Sequence, residues 1–158
     1  MGKEMSRRSF LKAGTAAAIG LSMTPGNVFA NVDQKKKKKN AKDAKLKILG
    51  VGIGGRGASV LRGLETEDFI GLCDVDWKYA DPIFKRYPNA KKYNDYKVMF
   101  AEMLDQADAV VVATADHTHA IIAAEAIAAG KHVYCEKPLT HSVYESRLLT
   151  KLAAKHKV

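Results

Sequence analysis

From residue 46 onward, apolar positions switch repeatedly between the short runs of a strand and the wider spacing of a helix. Leu46-Lys47-Ile48-Leu49-Gly50-Val51-Gly52 is a short apolar run ending in glycine, with the length of a buried strand. Beyond Ile53-Gly54-Gly55-Arg56-Gly57, the residues Ala58, Val60, Leu61 and Leu64 fall at helical spacing. A second run, Phe69-Ile70-Gly71-Leu72-Cys73, stops at Asp74. The order then repeats, with a helix around Lys78 to Arg86, a weak strand near Lys91 to Tyr93 and a helix from about Tyr96 to Leu104. Ala109-Val110-Val111-Val112-Ala113 contains an unbroken β-branched stretch, which predicts a strand covered on both faces. A helix from His117 to Ala129 meets Gly130, a residue suited to the left-handed position that closes a helix. His132-Val133-Tyr134-Cys135 reads as a fifth strand, and Ser142-Val143-Tyr144-Glu145 as a capping box opening the last helix.

Strands alternating with helices predict an α/β fold, a doubly wound parallel sheet of Rossmann type with strand order 3-2-1-4-5. That order separates the two cysteines. Cys73 ends the second strand and Cys135 the fifth, three strand spacings of ~4.8 Å or roughly 14 Å apart. A disulfide needs Cα atoms within about 7 Å, so both thiols are expected to be free.

The first strand-to-helix turn carries chemistry. Gly52, Gly54 and Gly57 stand in the three glycine places of a GxGxxG fingerprint, with Gly55 and Arg56 completing the loop. The first glycine permits a tight turn, the second lets the backbone approach a pyrophosphate, and the third lets the helix pack closely on the strand. The N–H groups and positive dipole end of the helix then face the phosphates. Asp74 lies 22 residues after Gly52, close to the spacing of the acid that accepts both hydroxyl protons of an adenosine ribose. Asp76 is the better candidate for a helix N-cap. An acid at position 74 with no arginine directly after it repels a 2′-phosphate, so the expected cofactor is NAD rather than NADP.

Charge divides the chain in two. The net charge of +9 arises from 26 basic and 17 acidic residues, an excess that would ordinarily point to nucleic acid or an anionic membrane. Residues 1–45 hold 11 basic and 3 acidic residues, whereas 46–158 hold 15 and 14. The domain from 46 to 158 is nearly neutral and is not expected to bind nucleic acid. No apolar run reaches the ~20 residues of a membrane-spanning helix. Residues 1–30 have the layout of an export signal: Lys3, Arg7, Arg8 and Lys12, a mild apolar stretch from Ala13 to Met23, then Val28 and Ala30 before the expected cleavage point. Ser6-Arg7-Arg8-Ser9-Phe10-Leu11-Lys12 matches a twin-arginine signal. It implies folding before export, the twin-arginine machinery as a partner and a periplasmic location. Residues 31–45, with five lysines at 35–39, read as a solvated linker; attraction to anionic headgroups is the alternative.

The segments Gly50 to Gly57, Cys73-Asp74-Val75-Asp76, Ala113-Thr114-Ala115-Asp116-His117-Thr118-His119 and Gly130 to Leu139 together resemble the N-terminal half of the glucose-fructose oxidoreductase, inositol dehydrogenase and rhizopine-catabolism (Gfo/Idh/MocA) family. The resemblance runs over about 45–158, and Glu136-Lys137-Pro138 is its most diagnostic piece. It implies that Lys137 projects from the fifth strand toward the nicotinamide and the sugar hydroxyl being oxidised. The placement is physically apt, because ligands bind at the carboxyl edge of a parallel sheet, Pro138 biases Lys137 toward an extended conformation, and a partly desolvated lysine can transfer protons. Glu136 and Arg56 are expected on the cofactor side. Thr114 matches the loop beneath the nicotinamide ribose. His119 matches a recurrent histidine of the next helix, and capping or packing is the alternative to a place near the cofactor.

The sequence departs from the family at Ala115-Asp116, where Pro-Asn is frequent. The Gly-x-His spacing does not suggest a metal site, since no Cys or carboxylate completes one. Family members continue into a second, sheet-rich domain that supplies the substrate pocket and a catalytic His and Asp, so this chain, ending at Val158, is expected to be the nucleotide-binding part with weak or absent turnover alone. The implied activity is NAD(P)-dependent oxidation of sugars, polyols or cyclitols. Alternatives are an NAD-dependent glycosidase of the same fold, which tends to lack the Glu-Lys-Pro lysine, and a non-catalytic nucleotide-binding fragment.

Overall fold

Five strands and five α-helices alternate in the computed structural model, which describes residues 44–158. In chain order they are β1 (Lys47–Val51), α1 (Gly55–Gly63), β2 (Asp68–Cys73), α2 (Trp77–Arg86), β3 (Lys91–Tyr93), α3 (Tyr96–Met103), β4 (Ala109–Val112), α4 (Asp116–Ala128), β5 (His132–Cys135) and α5 (Val143–His156), with a 3₁₀ turn at Leu104–Gln106. Every strand pair is parallel and the order is β3-β2-β1-β4-β5, as expected. The expected export signal and nearly all of the expected lysine linker lie outside the described residues. No described helix is long and apolar enough to cross a membrane.

The sheet buries both faces because its central strands are apolar on both. Ile48 and Val111 join Leu61 of α1 and Ile83 and Phe84 of α2 on one side. Leu49, Val51, Val110 and Val112 meet Met99 and Phe100 of α3 and Ile122 of α4 on the other. Each such side chain, fully removed from water, stabilises the fold by about 1.5–3 kcal/mol. α5 adds a smaller layer, with Leu149 against Ala123 and Ile127.

Local signals set the helix ends. The Asp76 side chain accepts the Tyr79 N–H, so α2 begins at Trp77, one residue earlier than its hydrophobic spacing indicates. Ser142 and Glu145 form both halves of the capping box of α5. Gly130 takes a φ of +73° just beyond α4. α3 gives way one residue early because the chain tightens into the 3₁₀ turn.

The feature that positions the site is one row of main-chain bonds just past the carboxyl ends of the strands. The Asp74 N–H donates to the Tyr93 carbonyl (3.1 Å), Gly52 to Cys73 (2.9 Å), Ala113 to Val51 (2.9 Å) and Glu136 to Val112 (2.9 Å). The row beneath pairs Cys73 with Val51, Val51 with Val112 and Val112 with Cys135. The cysteines are therefore three strand spacings apart, and both are free. Burial, reinforced by Asp74 and Asp95, pushes the Cys73 thiol up to about 12, and burial with Glu136 nearby pushes Cys135 up to about 11. Neither is a thiolate near neutral pH.

Candidate cofactor site

A cleft of about 710 Å³ opens over this row, within the ~300–1,000 Å³ usual for small-molecule sites. Gly52, Gly54, Asp74 and Thr114 line it. They come from the ends of β1, β2 and β4, which the strand order makes neighbours.

Two glycines are dictated by close backbone approach. Gly52 has φ +75°, and a Cβ there would stand 2.7 Å from the Ala113 carbonyl group. A Cβ on Gly57 would lie 1.9 Å from the Gly52 carbonyl oxygen. Gly57 is thus buried beneath the loop, where it lets α1 close on β1. Gly54 is the N-cap of α1 and brings no side-chain acceptor, so the first-turn N–H groups remain available to an anion, with the positive end of the helix behind them.

Asp74 is fixed by the same loop. Its Oδ2 accepts the Gly54 N–H at 2.9 Å and its Oδ1 the Asp76 N–H at 3.0 Å. A carboxylate offers about four lone-pair sites, so one remains on each oxygen for ribose hydroxyls. A glycine cradle that side chains would fill, an uncapped helix start and a carboxylate beside them fit the diphosphate and ribose of a dinucleotide.

The β4–α4 turn is held from within. The Thr118 hydroxyl stands 2.7 Å from both the Thr114 hydroxyl and the Ala115 carbonyl oxygen. These bonds close the turn where the sequence carries Ala115-Asp116 in place of Pro-Asn. His119 is 1% exposed, with Nδ1 2.7 Å from the Pro138 carbonyl oxygen and Nε2 3.0 Å from that of Thr114. The ring therefore does not face the cleft. It packs between the Thr114 turn and the loop after β5.

Arg56 and Glu136 form an ion pair at the same edge. They pair with each other, Nε to Oε1 at 3.0 Å, tying the start of α1 to the end of β5 across β4. Tyr134 donates to the same carboxylate at 3.2 Å, and the Lys137 N–H lies 3.3 Å from its other oxygen. Burial pushes the Glu136 carboxyl up, but the Lys137 N–H, the Arg56 guanidinium and the Tyr134 hydroxyl together hold it below the usual carboxylate range. Lys137 is exposed at the same sheet edge, and its bond to Pro138 is cis. Neither Lys137 nor Gly55 is among the residues lining the cleft.

The sequence reading missed part of the wall. Val75, Tyr79, Asn94, Tyr96 and Ile121 all line the cleft. The signal for Asn94 was the end of β3, which the strand order places beside β2. Tyr79 and Ile121 carried none, because helical spacing alone cannot say that a residue leans toward the sheet edge.

A family model described as "Oxidoreductase family, NAD-binding Rossmann fold" (GFO_IDH_MocA) matches residues 45–158. The chain belongs to the Gfo/Idh/MocA family. Inositol 2-dehydrogenase of Acidothermus cellulolyticus is 36% identical over 103 residues, covering 63% of this chain and 30% of that protein. Alpha-N-acetylgalactosaminidase of Shewanella oneidensis is 26% identical over 159 residues, covering 88% of this chain and 35% of that one. Among solved structures, GenD2 from gentamicin A biosynthesis in complex with NAD superposes with a TM-score of 0.63 at 33% identity, covering 73% of this chain and 33% of that one. This Gfo/Idh/MocA chain thus spans about a third of the length of these relatives. Among its described residues no group of three or more His, Cys, Asp or Glu could hold a metal ion.

The lowered Glu136 carboxyl has a consequence for stability. A group whose value falls on folding stabilises the native state above its unfolded value, near 4.5 for glutamate, and that contribution is lost as pH falls through the native value. Glu136→Gln should be less stable than the wild type at pH 7 in urea unfolding, and the gap should close as the solution is acidified below the ordinary glutamate range. A gap that does not change with pH would show that the charge on Glu136 contributes nothing to stability.

Proposed function

We propose that this chain is the nucleotide-binding part of an oxidoreductase that uses NAD, in preference to NADP, to oxidise a hydroxyl of a sugar, polyol or cyclitol. The observation that carries the reading is the Asp74 carboxylate fixed on the Gly54 N–H, beside the uncapped start of α1 and on the same sheet edge as Lys137. The NAD complex of GenD2 and the similarity to an inositol 2-dehydrogenase support it.

Each residue has a task. Asp74 accepts the ribose hydroxyls through its remaining lone pairs and repels a 2′-phosphate by like charge. The N–H groups of Gly55, Arg56 and Gly57 receive the diphosphate. The Thr114 turn, braced by Thr118 and His119, would hold the nicotinamide ribose. Bound NAD supplies the hydride acceptor. Lys137, as the neutral amine, would take the proton of the substrate hydroxyl as its carbon is oxidised, and the Arg56–Glu136 pair holds the loop from which Lys137 extends. A further domain is proposed to bring the substrate pocket, in keeping with the share of the relatives that this chain spans.

The similarity to an alpha-N-acetylgalactosaminidase gives a second reading, a glycosidase in which oxidation is transient. Glu136-Lys137-Pro138 favours the dehydrogenase. NADH accumulating with a sugar supports that choice, and released sugar without net NADH reverses it.

We further propose that residues 1–30 direct export of the folded protein by the twin-arginine route to the periplasm, with 31–45 as a linker ahead of the domain at 46–158. In fractionated cells the wild type should appear outside the inner membrane, and a variant carrying Arg7→Lys with Arg8→Lys should stay inside. Equal export of both would remove the twin-arginine reading.

The cofactor reading is tested by fluorescence titration. NADH should bind saturably and NADPH at least about tenfold more weakly, the scale of one charged contact. Asp74→Ala should weaken NADH and narrow that difference. No saturable binding of NADH by the wild type would overturn the proposal.

A further inference from the structure

Tyr79 stands outside the glycine fingerprint. It lies in the first turn of α2, and its backbone N–H donates to the Asp76 carboxylate at 2.9 Å. Asp76 in turn donates its own N–H to Asp74, and Asp74 accepts the N–H of Gly54. One string of hydrogen bonds therefore fixes the start of α2 relative to the glycine loop. Side chains of a helix tilt toward its N-terminus, and that tilt carries the Tyr79 ring back over the loop.

The approach is close. A Cβ on Gly54 would meet Tyr79 Cδ1 at 2.6 Å and Cε1 at 2.8 Å, with Asp74 Oδ2 next at 3.4 Å. A Cβ on Gly55 would meet the Tyr79 hydroxyl oxygen at 2.9 Å. The ring thus flanks the same backbone position as the Asp74 carboxylate, and its hydroxyl stands over the first residue of α1. It lines the cleft, and the residue is 63% exposed. Among the described residues that hydroxyl has no hydrogen-bond partner, although the phenol is held against the loop.

We propose that Tyr79 is a cofactor-binding residue: its ring forms the outer wall of the ribose seat beside Asp74, and its hydroxyl donates to a phosphate oxygen held over Gly55. The proposal rests on the reading of the cleft as a dinucleotide site. A neutral hydroxyl donating to an anion makes a stronger bond than a neutral pair. The ring supplies apolar contact to the sugar, as aromatic walls do in small-molecule pockets.

The test is titration of the full chain with NADH and with ADP-ribose, which keeps the diphosphate and lacks the nicotinamide. Tyr79→Phe preserves the ring, and the exposure of the side chain leaves folding undisturbed. It should weaken both ligands equally, by about tenfold, the loss expected for one hydrogen bond to a charged group. Tyr79→Ala should weaken both further. Binding by Tyr79→Phe within about twofold of wild type would overturn the role of the hydroxyl. Tighter binding by Tyr79→Ala would show that the ring obstructs the seat, and would overturn the proposal as well. Loss of NADH binding in the wild type would instead bring down the cofactor reading itself.

Discussion

The carboxyl edge of the sheet is set by main-chain hydrogen bonds, and every feature of the site hangs from it. Four N–H groups, those of Asp74, Gly52, Ala113 and Glu136, each reach the neighbouring strand and fall in one row. Parallel pairing allows no choice of direction, so all four strands deliver their following loops to the same side. A carboxylate, a glycine turn, a threonine turn and the Glu-Lys-Pro loop become neighbours although Gly52 and Glu136 stand 84 residues apart in the chain. The buried valines of β4 and the leucines of β1 and β2 pack against helices on both faces of the sheet and hold these strands side by side.

Above the row, loops are tied to one another rather than left to the solvent. Gly57 against Gly52 and Gly52 against Ala113 leave no room for side chains, which brings α1 and the β4–α4 turn close together. His119 joins that turn to the loop after β5, and Arg56 with Glu136 joins the same loop to α1. Arg56, Glu136 and His119 thus link the loops into one frame beside the cleft. A pre-formed frame of this kind reduces the ordering that binding would otherwise require.

The order of elements and the strand order were legible because the periodicity and punctuation are local: Asp76, Ser142 with Glu145, and Gly130 each mark a helix end by their own chemistry. Gly52 and Asp74 were legible for a related reason, since a tight turn, a helix and a second strand fix their separation. What the chain did not reveal depends on contacts distant in sequence. Arg56 meets Glu136 across 80 positions, and Tyr79 acquires interest only by lying on Gly54. Composition was informative in another way, since most of the net positive charge falls in residues 1–45 and leaves the domain nearly neutral.

The central claim is that the edge of the sheet, with the start of α1 and Asp74, forms one dinucleotide seat. It is tested most directly by amide chemical-shift mapping of ¹⁵N-labelled protein during titration with NADH. The account predicts the largest shifts at Gly54, Gly55, Arg56, Asp74 and Thr114, with α5 unaffected. Shifts concentrated on α5, or spread without preference over the domain, would contradict it.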